Sequence, residues 1–204
     1  MLHLFNKILH TTREMQKTAY HHYGENPLSI IKFIYYGLFR INTFIIFLND
    51  LEKDIKNLDL DNEYDVIIPT MADLDNIRAG KILPREFYYD KIHNVITCFI
   101  VLRKKEIAYI HWVYFQGDYS RFLRIQPKTA EINYATTLPK FRGNKLSAIM
   151  FAYTSNYLKN LGYKKAIVVA NENNPAVIKT FLMAGFKEIK RVKSIGPFNR
   201  KLSI

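Results

Sequence analysis

Nine positions between Pro139 and Ser147 gather Lys140, Arg142, Gly143, Asn144 and Lys145 into one short loop. The stretch ahead of it, Ala130 to Thr136, alternates as a strand does. The stretch behind it, Leu146 to Tyr163, places Leu146, Ile149, Met150, Tyr153, Tyr157 and Leu158 on one helical face. A strand that turns through a basic, glycine-containing loop into a helix N-terminus binds anions. Unpaired backbone N–H groups converge there and the helix dipole favours negative charge. Neither common nucleotide-phosphate loop, GxxxxGK[ST] or GxGxxG, occurs in the chain.

Other reactive side chains are sparse. His111 and Trp112 are adjacent in a strand-like run, so one should enter the core and the other should line an open face. On that ground His111 is a candidate catalytic residue. Cys98 lies within the apolar run Val95 to Leu102 and reads as a buried thiol. As the only cysteine it rules out a disulfide framework and a cysteine-based zinc site. His21 and His22 have no ligand-spaced partners, so no metal site is expected.

The elements that must position these groups fall into two parts. Pro27 to Leu48 is a long apolar stretch broken by Lys32, Arg40 and Asn42 and divided by Gly37. A charge at the centre of a membrane span costs about 2.5–3.5 kcal/mol, which argues against a span. The segment reads as a helix over 28–36 and a strand over 39–48, with a further helix over 6–23 ahead of it. Packing, homodimerisation or peripheral membrane contact through 28–48 are its expected roles. The acidic run from Asn49 to Glu63 then forms a solvated connector. This predicts an N-terminal extension over 1–62 and a main domain over 63–204. Residues 1–62 carry no net charge, so the whole formal +12 belongs to the main domain, the part that holds the anion loop. Such an excess attracts anionic ligands. The aromatic interleaving is too thin for nucleic-acid stacking. The low cysteine content and the absence of a cleavable leader pattern fit a cytoplasmic protein, peripherally membrane-bound at most.

From Asp65 the pattern is β-α-α-β-β-β-α-β-α-β-β. Thr70 and Asp73 form a helix-start signal. Val95–Leu102 and Glu106–Phe115 form a hairpin, and Asn173 or Asn174, Pro175 and Gly185 bracket a later helix. The last two strands are expected over 187–193 and 198–204.

Three stretches together resemble the GNAT superfamily of N-acyltransferases over about residues 65–204. They are Pro139-x-Phe141-Arg142-Gly143, the Thr70–Ile77 opening, and Asn173, Ala176, Val177, Phe181, Gly185 and Phe186. The resemblance implies an α/β fold of α+β type: a mixed, mostly antiparallel central sheet flanked by helices. It implies that acetyl-coenzyme A or another acyl-coenzyme A is the cosubstrate. The implied contacts are Thr136, Thr137 and Leu138 at the strand end, the loop residues Arg142, Gly143, Asn144, Lys145, Leu146 and Ser147, and Asn173 and Phe181. Lys145 and Ser147 depart from the family's usual Gly and Gly/Ala.

Acyl transfer to an amine requires a deprotonated nucleophile. A lysine-like amine of pKa about 10.4 is neutral in only about one molecule in 2,500 at pH 7. The resemblance implies Glu131 as the base, eleven residues before Arg142. The family often has a Tyr acid at the position of Phe181, which has no proton to give. Tyr134, Tyr153 or a water would supply it. The acceptor would be a primary amine of a small molecule or a protein. Two alternatives are a longer-chain acyltransferase fed by an acidic acyl carrier protein, and a coenzyme A-binding module without turnover.

Overall fold

The computed structural model describes residues 26, 28–39, 41–195 and 201–204. Contacts divide the chain into two units, residues 1–42 with 193–199 and residues 43–192 with 200–204.

In the first unit, α1 spans Leu28–Phe39. Its start is capped by Asn26, whose side chain accepts from the Leu28 N–H at 2.9 Å. The helix runs three residues past the expected end at Tyr36. A single Gly costs a helix only about 1 kcal/mol, and Gly37 does not stop it. Leu28, Ile31 and Tyr35 are exposed. Among the described residues no helix is long and apolar enough to cross a membrane. The helix expected over 6–23, and His21 and His22, lie outside the described residues.

The second unit is built on a seven-stranded sheet. In chain order the elements are β1 (Ile41–Asp50), β2 (Tyr64–Ile67), α2 (Met71–Arg78), a 3-10 turn (Arg85–Tyr88) and α3 (Tyr89–His93). These are followed by β3 (Thr97–Arg103), β4 (Glu106–Tyr114), β5 (Thr129–Thr137), α4 (Leu146–Asn160), β6 (Lys165–Asn171), α5 (Pro175–Met183) and β7 (Lys187–Ile195). The spatial order is β2-β3-β4-β5-β6-β1-β7. The pairs β2–β3, β3–β4, β4–β5 and β6–β1 are antiparallel, whereas β5 and β6 run parallel across the α4 crossover. The sheet is thus the mixed, mostly antiparallel one expected.

Two expectations change. The strand assigned to the N-terminal extension enters the central sheet as β1, paired along β6 from Phe44–Asn171 to Asp50–Lys165. Its alternation explains this. Ile45 and Phe47 pack with α4 and α5, while Ile46 packs in the opposite core layer. A strand buried on both faces belongs inside a sheet. The second change is at the end of the chain. Of the strand expected over 198–204, residues 198–200 lie outside the described residues, and 201–204 form no strand paired with β7. Residues 201–204 instead make one isolated parallel bridge, Leu202 to Leu123. The N–H of Arg124 donates to the Leu202 carbonyl at 2.7 Å, and the N–H of Leu202 to Phe122 at 2.8 Å.

Each sheet face has its own core. Phe99, Val101, Val113, Ile132 and Val168 meet Met150, Phe151 and Phe181 of α4 and α5. Cys98, Ile100, Trp112 and Ile167 meet Leu74, Phe87, Tyr89, Phe122 and Leu123. Cys98 is buried as expected, and burial pushes its thiol up to about 12.

The helix-start signal at Thr70 is a reciprocal cap: Thr70 accepts from the Asp73 N–H at 3.2 Å, and Asp73 accepts from the Thr70 N–H at 3.3 Å. At the other end of α2, buried Arg78 donates to the Phe87 carbonyl and to Asp90, both at 2.7 Å. It also pairs with Asp75. Arg78 therefore fastens α2 to the 3-10 turn and α3. Arg78→Ala strands the largely buried Asp90 and is expected to cost about 3–5 kcal/mol, read as a lower denaturant midpoint with an unchanged slope.

Candidate functional site

The site begins where the sheet comes apart. β5 and β6 pair only from Thr129–Lys165 to Glu131–Ile167. β5 stays paired with β4 out to Thr137, but its register shifts: Trp112 faces Asn133, whereas Ile110 faces Thr136. One residue of β4 thus opposes two of β5, a bulge, and Tyr134 takes a left-handed φ of 51° within it. A tyrosine at positive φ is uncommon, and such strain collects at functional sites. The bulge bends β5 away from β6. The opening is a cleft of about 230 Å³ between Asn133 and Tyr134 of β5, Ser147 and Phe151 of α4, Asn171 of β6, and Phe181 of α5.

The loop from β5 to α4 closes one end of this opening. Buried Phe141 anchors it, and the Leu138 N–H is fixed to the Ala108 carbonyl at 2.9 Å. Arg142 Nε donates to the Thr137 carbonyl at 3.2 Å, and the Thr137 and Ser147 hydroxyls lie 3.1 Å apart. Arg142, Gly143, Asn144 and Lys145 are exposed, and Leu146 is buried. No side chain caps the 15-residue α4. Its first N–H groups therefore face the loop with the dipole's positive end. This arrangement fits a diphosphate flanked by Arg142 and Lys145.

Lys145 adopts φ 56° at the N-cap. The geometry explains why glycine is usual there, since a left-handed conformation costs an L-residue about 1–2 kcal/mol. Lys145→Gly is expected to raise stability by up to about 1 kcal/mol after the added unfolded-state freedom of glycine is set against it. Thermal unfolding checks this: a lower melting temperature would contradict it.

Glu131 sits at the base of the splay with 1% of its surface exposed. Asn133 Nδ2 donates to Oε1 at 2.9 Å, while Oε2 has no protein partner among the described residues. Burial pushes this carboxyl up to about 7, with Ser120, Asn133 and the charge of Lys201 opposing the rise. A carboxylate poised near neutrality suits a general base. Tyr134 stacks on Tyr89 with centroids 3.6 Å apart and meets His93 edge-on at 5.2 Å. Burial raises the Tyr134 hydroxyl well above its usual range.

His111 is placed differently. Both His111 and Trp112 are fully buried, so neither lines an open face. Each side of β4 is covered: Trp112 Nε1 donates to the Glu86 carbonyl at 2.6 Å, and His111 Nε2 meets Thr154 of α4 at 3.0 Å. His111 also stacks on Phe99, and burial lowers its pKa to about 3. It lies on the α4 side, opposite Glu131, and the structure does not bring the two together.

Asn173 is exposed beside the cleft. Its neighbours Asn171 and Asn174 line it, and Asn174 is the N-cap of α5, accepting from Val177 at 3.3 Å. Phe181 is buried against Phe47 and Phe151 and presents no hydroxyl to the cleft. Sequence reasoning missed Ser120, Asn133, Tyr89 and His93. Asn133 was within reach, because residues i and i+2 of a strand share a face with Glu131. So were Tyr89 and His93, one helical turn apart. Among the described residues, no three His, Cys, Asp or Glu side chains cluster as metal ligands would.

No protein-family model and no curated protein sequence matches the chain. Solved structures do. A GNAT-family protein from Novosphingobium aromaticivorans aligns with a TM-score of 0.56 at 13% identity, over 76% of this chain and 64% of that one. An acetyltransferase of the same family from Colwellia psychrerythraea gives 0.53 at 17%, over 81% and 60%. The glucosamine N-acetyltransferase region of a fungal multi-domain β-N-acetylglucosaminidase gives 0.58 at 12%, over 83% and 23%. This chain therefore spans less than two thirds of each of these. Likeness at such identity speaks for architecture, and with the splayed β5–β6 pair and the uncapped α4 it leads to one conclusion: the chain has the GNAT fold.

Proposed function

We propose that the protein is an N-acyltransferase that moves an acyl group, acetyl in the first instance, from acyl-coenzyme A to a primary amine. The observation that carries this reading is the splay itself. The strands part just beyond Glu131, a buried carboxyl held near pH 7, and the opening they leave runs to Ser147 at the uncapped start of α4.

The diphosphate would lie on the N–H groups at the start of α4, with Arg142 and Lys145 adding charge. Bound there, the cosubstrate supplies a thioester whose carbonyl carbon accepts the amine. Glu131 takes the proton that the amine must lose as the new C–N bond forms and the C–S bond breaks. Its raised pKa lets it accept that proton near neutral pH without water around it. Asn133 orients the carboxyl through Oε1 and leaves Oε2 for the acceptor. Phe181 has no proton for the departing thiolate, and Tyr134 is the tyrosine among the residues that line the cleft.

A coenzyme A-binding module without turnover is the second reading, and it is favoured by the missing hydroxyl at Phe181. Thiol release from acetyl-coenzyme A in the presence of amine mixtures separates the two. Amine-dependent release supports transfer. Tight binding with no release supports the module, and no binding removes both.

A further inference from the structure

On the Glu131 side of the sheet lies a second, larger cleft of about 620 Å³, walled by Arg124, Lys190 and Lys201 with Leu202 and Ser203. That volume is in the range of small-molecule sites, roughly 300–1,000 Å³. The cleft is a built feature. Leu202 packs into the core layer of that face with Phe122 and Leu123. Two backbone hydrogen bonds pin the 201–204 segment to the 122–124 loop.

Its charge is unbalanced. Several cations of this unit are answered by carboxylates, among them Arg103 by Glu63, Lys164 by Glu52, and Arg191 by Glu188 and Glu172. Among the described residues no carboxylate pairs with Arg124, Lys190 or Lys201, and none lines the cleft. Lys190 adjoins Arg191 on β7, yet only Arg191 is neutralised.

A series of ring contacts runs from the cleft toward Tyr134. Lys201 Nζ lies 5.3 Å from the centre of the Tyr119 ring. Tyr119 packs on His93 at 4.4 Å, and His93 on Tyr134 at 5.2 Å. The loop that supplies Arg124 also supplies Ser120, beside Glu131. The start of α4 lies on the other face of the sheet, so coenzyme A phosphates seated there would leave these three cations to a different anion.

We propose that the acceptor is a primary amine that also carries a phosphate or carboxylate, the anion held by Arg124, Lys190 and Lys201 and the amine turned toward Glu131. The amine half rests on the acyl-transfer reading, whereas the anion half stands on the cleft alone. Three cations without counter-charges select such an acceptor over a neutral one and hold it by charge-assisted hydrogen bonds.

The test is calorimetric titration of the full chain with ethanolamine, O-phosphoethanolamine and β-alanine, with and without coenzyme A. These probes carry an amine with no anion, a phosphate and a carboxylate. The expected result is at least tenfold tighter binding of one or both anionic amines than of ethanolamine. Which one binds tells phosphate from carboxylate. The preference should vanish in R124Q/K190Q/K201Q while coenzyme A binding is unchanged. All three positions are exposed, so the variant keeps its core, and circular dichroism verifies this. Equal affinity for the three amines overturns the proposal. So does a preference that survives the triple variant, or a triple variant that weakens coenzyme A by the same factor. If the anionic amine binds and coenzyme A does not, the acyl-transfer reading falls and the anion site stands.

Discussion

Glu131→Gln is expected to lower kcat by about a hundredfold or more and to remove the acidic limb of the pH–rate profile. General-base catalysis contributes about 10²–10⁴-fold, which sets the size. The sign follows from the folded pKa. Burial pushes the carboxyl up to about 7, and only the ionised form accepts a proton. Wild-type rates should therefore rise with pH up to about 7 and then level. The Gln variant should be slow and flat through that range. Stability should move the opposite way. The folded state holds this proton more tightly than the unfolded chain, whose carboxyl keeps the ordinary value of 4.5. Stability contributed by the protonated form is complete below that value and is lost as pH rises to about 7. Ionisation at the buried site thus costs about 3 kcal/mol at pH 8, and the neutral amide does not incur it. A variant that is slower yet more stable at pH 8 marks a residue kept for chemistry. Unchanged activity with raised stability would leave Glu131 a buried acid without a catalytic role.

Ser147→Asp should cost at least a hundredfold in coenzyme A affinity, about 2.7 kcal/mol. Ser147 is the second residue of α4 and lines the cleft. A carboxylate there meets the helix dipole favourably, so the fold should gain about 0.3–1 kcal/mol. The same carboxylate would occupy and repel the place assigned to the diphosphate. A higher melting temperature together with lost binding is the expected pair, checked by calorimetry and thermal unfolding. An unchanged Kd would move the diphosphate away from α4.

Local signals in the sequence were read well because their causes are local. Thr70 and Asp73 cap α2 through contacts three residues apart. Asn174 and Pro175 start α5, and past its end Gly185 takes φ 92° while the Phe186 N–H reaches back to the Phe181 carbonyl at 3.0 Å. The place of β1 in the sheet was not legible, because its partners on β6 lie more than a hundred residues away and alternation names a buried face without naming a neighbour. The bulge at Tyr134 was equally hidden. Nothing in Asn133-Tyr134-Ala135 signals a left-handed residue, and the conformation is imposed by pairing to β4. Periodicity gave His111 one open face, but both sides of β4 proved to be covered. Glu131 was singled out through the family resemblance, by its spacing from Arg142. Its burial, and hence its raised pKa, depends on the 116–128 loop folding over it and on Ser120 within that loop.

The most direct test of the account is a coenzyme A titration of isotopically labelled protein followed by amide chemical shifts. Saturable shifts should gather in two stretches far apart in sequence, 142–148 at the start of α4 and 171–181 across the β6–α5 connection. Shifts confined to the surroundings of Arg124, Lys190 and Lys201, or no shifts at all, would contradict it.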